Sequence, residues 1–143
     1  MVGGPLLFLG EKKRAADSFK DISKALIIAL KLFEIQKGDE IITVTNTFYA
    51  TVGAIVSCGA KPVFVDINHD DYLIDVNKIE AAINKKTKAI IVPHIYGLPV
   101  DMDPLIKLTK KYNVKIVEDA AEVIGLKYKN KPCGSFGEVS RGP

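Results

Sequence analysis

Four short stretches hold most of the side chains that could do chemistry. They are Thr45-Asn46-Thr47-Phe48, Asp66, Pro93-His94-Ile95-Tyr96-Gly97 and Glu118-Asp119-Ala120-Ala121. Each follows a short apolar run, and together they offer carboxylates, an aromatic and a histidine. GxGxxG and GxxxxGK[ST] phosphate loops are absent from the chain. Asp119 is the most informative of these residues. A carboxylate at the end of a buried strand is costly unless a cation or a strong donor meets it. Its structural alternative is the N-cap of the next segment. His94 follows a strand-end proline and reads as a hydrogen-bonding core histidine or as part of a site. Phe48 fits either a core or a stacking surface, and Asp66 could cap a turn.

The elements that must position these residues alternate between helix and strand. Residues 25–33 (ALIIALKLF) are apolar nearly all round and predict a buried helix, ended by Lys37-Gly38-Asp39. Strands are expected at 41–44, 63–66, 89–92 and 115–117. Helices are expected from Tyr49 to Cys58, closed by Gly59, and from the Asp75 cap to about Asn84. A further helix is expected from Asp103-Pro104, a cap with proline at the first turn, to Tyr112. Four short apolar strands separated by helices imply right-handed βαβ crossovers: a three-layer αβα fold with a parallel sheet. In such a sheet ligands bind beyond the carboxyl ends of the strands, where the four stretches fall.

The bulk composition narrows the class without naming it. The chain has 143 residues, 48% hydrophobic, with a formal net charge of +3. Its basic residues are dispersed, which argues against a nucleic-acid binder. Cys58 and Cys133 fit neither a zinc motif nor a disulfide framework, so a reduced, cytoplasmic protein is expected. The opening MVGGPLLFLGEKKR puts its apolar patch before its charges, the reverse of a signal peptide. No segment approaches the length of a membrane span.

The runs GDEIITVTNTFYATVGAIVSCGAKPVFVDI, TKAIIVPHIYGLPVDMDPLIKL and VKIVEDAAEVIGLKYKNKPCGSFGEVS are more specific than their parts. In order and spacing, over residues 25–140, they resemble the DegT/DnrJ/EryC1/StrS aminotransferases, with a perosamine-synthase-like wording around EDAAEVIG. These are fold-type I enzymes that use pyridoxal phosphate (PLP) to make amino sugars on nucleotide-linked keto-sugars. The resemblance implies that Asp119 pairs with the pyridine nitrogen of PLP and keeps it protonated, so that the ring acts as an electron sink. It implies that Phe48 stacks on that ring. Glu122 takes the position, usually Gln or His, that contacts the ring hydroxyl, and an ionised carboxylate there accepts but cannot donate. His94 lies in the stretch lining the site, a substrate-side candidate. The family's Gly-Thr pair, which opens the first helix and holds the phosphate, is matched by Ile22-Ser23-Lys24. Ser23 would supply a hydroxyl and Lys24 a charge there.

The resemblance also sets expectations for the whole. Residues 21–140 would form part of the large domain, between an unassigned segment 1–20 and a tail 141–143. The family's Schiff-base lysine lies downstream of GSFGEVS, and none of the lysines here falls at that position. The chain is therefore expected to be a fragment, inactive by itself. The intact relatives would use glutamate as amino donor, in a homo-oligomer, for surface-polysaccharide or deoxyamino-sugar synthesis. Two alternatives stand beside this reading. One is a non-enzymatic α/β remnant that binds a partner or itself. The other is an unrelated doubly wound domain of the flavodoxin kind, although TNTFYA does not look like a phosphate loop. A strand order of 2-1-3-4 would fit the PLP-enzyme reading.

Overall fold

The computed structural model describes the backbone of residues 15–141 and the side chains of residues 24–139. The elements run α1 (Ala15–Leu32), β1 (Glu40–Val44), α2 (Tyr49–Ser57), β2 (Lys61–Val65), α3 (Val76–Ala82), β3 (Thr87–Pro93), α4 (Met102–Tyr112) and β4 (Lys115–Asp119). A small hairpin of β5 (Lys127–Tyr128) and β6 (Lys131–Pro132) follows, then β7 (Val139–Arg141). The main sheet has the order β2-β1-β3-β4-β7, and every pairing in it is parallel. The expected 2-1-3-4 order is therefore present, with β7 added beyond β4.

The three layers follow from the period-two alternation of the strands. Ile41, Ala89, Ile91 and Val117 point to one face and pack with Leu26, Leu30, Ala54 and Ile55 of α1 and α2. Ile42, Ile90, Val92 and Ile116 point to the other and pack with Ile79, Met102 and Leu105 of α3 and α4. The central strands β1, β3 and β4 are buried on both faces, which is why they read as unbroken apolar runs. Each fully buried Ile or Leu contributes roughly 1.5–3 kcal/mol to this core.

Several elements depart from the expectation, the β5–β6 hairpin among them. The first helix extends back to Ala15, ten residues before the predicted start at Ala25. Nothing between them breaks a helix, since AADSFKDISK has neither glycine nor proline. Residues 15–20 are thus part of α1, whereas residues 1–14 and 142–143 lie outside the described residues. The fourth helix starts at Met102 with Asp101 as its N-cap, so Pro104 sits at the third helical position. A proline is tolerated there because the first turn's N–H groups have no intrahelical acceptor. At the other end Val139–Arg141 form β7, so Arg141 belongs to the sheet and not to a tail. Asp75 does cap α3, its side chain accepting from the Asn77 N–H at 3.0 Å.

Candidate functional site

The carboxyl ends of β1, β3 and β4 converge on a cavity of about 190 Å³. Thr47 and Phe48 line it from the β1 loop, Pro93, His94 and Ile95 from β3, and Asp119, Ala121 and Glu122 from β4. Three of the four stretches singled out in the sequence meet here. Asp66 does not join them. It is exposed, takes the Ile67 N–H at 2.9 Å and pairs with Lys78 at 3.1 Å. The lysine hydrogen bond, the backbone N–H and the lysine charge hold its pKa below the ordinary range, so Asp66 closes a turn.

Asp119 ends β4 on the face toward α2, only 5% exposed. Its Oδ2 accepts from the Thr51 hydroxyl at 3.1 Å, and its backbone carbonyl accepts from the His94 N–H at 3.0 Å. The Thr47 and Thr51 hydroxyls lie 3.2 Å apart. With the Thr51 proton given to Asp119, Thr47 is the donor of that pair, so a relay of hydroxyls supports the carboxylate. Thr51 is buried on α2, where TFYAT places it one turn beyond Thr47. The sequence reading missed Thr51. Its signal was a polar residue spaced i+4 from Thr47 on the buried face of a helix.

Phe48 is the N-cap of α2, in extended conformation, and lines the cavity half-buried. Its ring centroid lies 4.6 Å from that of Tyr49. Glu122 stands at the rim, its Oε2 accepting from the Tyr96 N–H at 3.1 Å.

His94 is held differently from the other candidates. Its Nδ1 accepts from the Val100 N–H at 3.0 Å, so the ring's proton sits on Nε2 and points at Glu118 Oε2, 3.1 Å away. Both ring nitrogens are committed inside the protein and the side chain is buried. This geometry gives the ring to the core and leaves it no nitrogen to offer a substrate. Glu118 also accepts from Gly134 N (2.7 Å), Phe136 N (2.5 Å) and Gly137 N (2.5 Å). Burial alone would raise its pKa, but the hydrogen bonds from His94 and the three N–H groups outweigh that and hold it below the ordinary value. Glu118 and Asp119 are sequence neighbours on a strand, so they face opposite sides of the sheet. One anchors the glycine-rich loop, and the other faces the cavity.

The residues named for a phosphate, Ser23 and Lys24, belong to α1. Positions 22–24 fall inside α1, well past its start at Ala15, so their backbone N–H groups are not those of a helix opening. Lys24 is exposed and is not part of the cavity wall. The side chain of Ser23 lies outside the described residues. Among the described residues lining the cavity there is no lysine or arginine.

A parallel αβα sheet with a carboxylate and an aromatic at its strand ends defines a class of ligand-binding α/β proteins. The comparison with known proteins is more specific. The model of the DegT/DnrJ/EryC1/StrS aminotransferase family matches residues 8–141, and the chain belongs to that family. GDP-perosamine synthase of Escherichia coli O157:H7 is 45% identical over 116 residues, covering 81% of this chain and 32% of that protein. The aminotransferase from Psychrobacter cryohalolentis superposes with a TM-score of 0.82 at 36% identity, over 85% of this chain and 31% of that one. NtdA of Bacillus subtilis, solved with bound cofactor PMP, superposes with a TM-score of 0.77 at 30% identity, over 90% of this chain and 32% of that one. The chain therefore spans about a third of the length of the curated relatives it matches. PLP, of which PMP is the amine form, is the cofactor of the family.

The described residues of the cavity suit the ring of that cofactor. Asp119 offers a buried, donor-supported carboxylate to a protonated ring nitrogen, and Phe48 offers a face to a flat ring. The cavity is smaller than the roughly 300–1,000 Å³ of a complete small-molecule pocket. Among the described residues, its lining offers a face and a carboxylate for a ring and no cation for a phosphate. Among the described residues, no helix is long and apolar enough to cross a membrane, and both cysteines are free.

Proposed function

We propose that this chain forms the ring-binding part of a PLP-dependent aminotransferase site acting on a nucleotide-linked keto-sugar, with glutamate as amino donor. The observation that carries this reading is Asp119, a carboxylate held at a cavity floor by Thr51 with Phe48 on the same wall. When bound, the cofactor supplies a ring that takes up electrons from a substrate carbon. Asp119 would hold the proton on the ring nitrogen, Phe48 would fix the plane of the ring, and Thr51 would keep the carboxylate aimed. Glu122 at the rim would meet the ring's polar edge, as an acceptor only. The sugar substrate is supported by relatives named as GDP-perosamine synthases and as a dTDP-amino-sugar transaminase. A homo-oligomer is supported by apolar side chains left exposed, among them Leu32, Val56, Phe64 and Ile124. Two free cysteines support a reducing, cytoplasmic setting. We assign the pathway to surface-polysaccharide or deoxyamino-sugar synthesis on the same relatives.

The test is a PLP titration of the 143-residue chain, followed by absorbance and fluorescence, for the wild type and Asp119→Asn. The wild type should bind saturably. Asp119→Asn should weaken binding by about 10- to 100-fold, the value of one hydrogen bond to a charged group. Equal affinity in the two proteins, with the fold intact by circular dichroism, would overturn the reading.

A further inference from the structure

The mouth of the cavity is built on a strained residue. Tyr96 holds φ at +57° and Gly97 at +70°, while the Leu98 N–H donates to the Ile95 carbonyl at 2.9 Å. This is a two-residue turn with both central residues left-handed. Such turns favour Asn, Asp or Gly, because a larger side chain crowds the following carbonyl. A tyrosine there is an outlier, and outliers of this kind gather at functional sites. Packing does not compensate for the strain, since Tyr96 is 64% exposed.

What holds Tyr96 is polar. Glu122 takes its N–H at 3.1 Å, and its hydroxyl reaches Asn46 Oδ1 at 3.4 Å. Asn46 in turn donates to the Tyr72 carbonyl at 3.1 Å. The loops after β1, β2, β3 and β4 are thereby linked around one opening. A second cavity of about 160 Å³ lies there, walled by Asn46, Phe48, Tyr96 and Glu122 among others.

We propose that Tyr96 is a substrate-binding residue that receives the uncharged, polyhydroxylated ring of the substrate, and that Glu122 is the positioning residue that fixes it. This rests on the sugar-aminotransferase reading and adds which residues meet the sugar. The exposed Tyr96 ring offers a face to the C–H side of a pyranose. The Asn46 amide both donates and accepts, so it can meet the hydroxyls of that ring. Among the described residues no cation lines this opening and a carboxylate does, so it repels a diphosphate or a carboxylate. The neutral ring faces Tyr96, and the charged part of the substrate lies elsewhere.

The experiment uses the 143-residue chain with GDP-mannose as probe, GDP alone as control, and saturation-transfer NMR as readout. The wild type should pass saturation to the pyranose protons. Tyr96→Asn, which suits a left-handed turn, should keep or raise the urea midpoint and weaken sugar binding about five- to tenfold. Tyr96→Phe should stay close to the wild type in both. Glu122→Ala should weaken sugar binding as Tyr96→Asn does, and the double variant should be no weaker than either. Three results would overturn the inference: a lowered urea midpoint for Tyr96→Asn with sugar binding unchanged, saturation confined to the guanine protons, or no binding by the wild type. PLP is titrated on the same samples. If PLP binds and sugar binding ignores Tyr96, this inference fails while the proposed function stands. If the sugar binds through Tyr96 and PLP does not bind, the proposed function fails.

Discussion

Glu118 Oε2 lies 3.1 Å from His94 Nε2, and both side chains are buried. The pair is a neutral imidazole donating to an ionised carboxylate that also collects three backbone N–H groups. It ties the end of β3 to β4 and folds the loop that leads into β7.

Acid should undo this anchor in a defined window. The pKa of folded Glu118 is lowered, so its contribution to stability is fully present above the unfolded value of about 4.3 and is lost as pH falls through the folded value. Glu118→Gln places an amide N–H₂ against backbone donors and should cost roughly 3–5 kcal/mol near neutral pH. Urea unfolding of both proteins between about pH 7 and pH 3 should show a constant gap down to about pH 5 that then narrows. A gap unchanged at the acid end would mean that folding does not lower the Glu118 pKa, and a widening gap would mean that Glu118 is neutral in the fold.

His94→Ala should destabilise by roughly 2–4 kcal/mol, because it opens a void, strands the Val100 N–H and removes one of the two donors to Glu118 Oε2, which keeps only the Gly134 N–H. Its effect should be strongly non-additive with Glu118→Gln in a double-mutant cycle of urea unfolding. Additive effects would break the proposed link between the two.

Thr51→Val keeps the shape of the side chain and removes the donor to Asp119. Stability should change by about 1 kcal/mol, whereas PLP affinity should fall by roughly threefold to tenfold. Thr51→Ser should restore most of it. The check is the PLP titration beside a urea melt. A large loss of stability with PLP affinity intact would make Thr51 a packing residue only.

One substitution type should act with opposite signs at two glycines. A Cβ at Gly137 would sit 2.8 Å from the Ile116 carbonyl oxygen and 3.2 Å from Val139 O. Gly137→Ala should cost about 1–3 kcal/mol by forcing β7 away from β4. At Gly53, within α2, nothing lies within 4 Å of an added Cβ. Gly53→Ala should therefore stabilise the chain by about 0.5–1 kcal/mol. Thermal or urea unfolding of the two variants decides both.

Much of this architecture was legible in the sequence because local and global signals agree. Runs such as AIIV and KIV are short, rich in β-branched residues and apolar on both faces, which suits a central parallel strand. The cap at Asp75 was legible because a side chain must satisfy a helix's first N–H groups. What was missed depends on distant partners. Val139–Arg141 is too short to read as a strand, and it is one only because β4 pairs with it. The hairpin 127–132 is held by long-range bonds, from Tyr128 to Asp101 and from Lys129 to Asp103. Glu118 was noted only as the neighbour of Asp119. Alternation alone assigns it to the opposite face, where a buried carboxylate needs donors, and GSFG supplies them. Residues 22–24, matched by resemblance to a pair that opens a helix, lie within α1, whose described part runs from Ala15 to Leu32.

The Glu118 anchor also bears on how the chain acquires its shape. Its three N–H donors arrive 16 to 19 residues later in the sequence. Until they do, β4 carries a charge into the sheet that only His94 meets, which is unfavourable in a dry interior. Insertion of β4 and ordering of the loop at 134–137 are therefore one cooperative step. Amide hydrogens at Phe136 and Gly137, though near the surface, should exchange with solvent as slowly as those of the central strand.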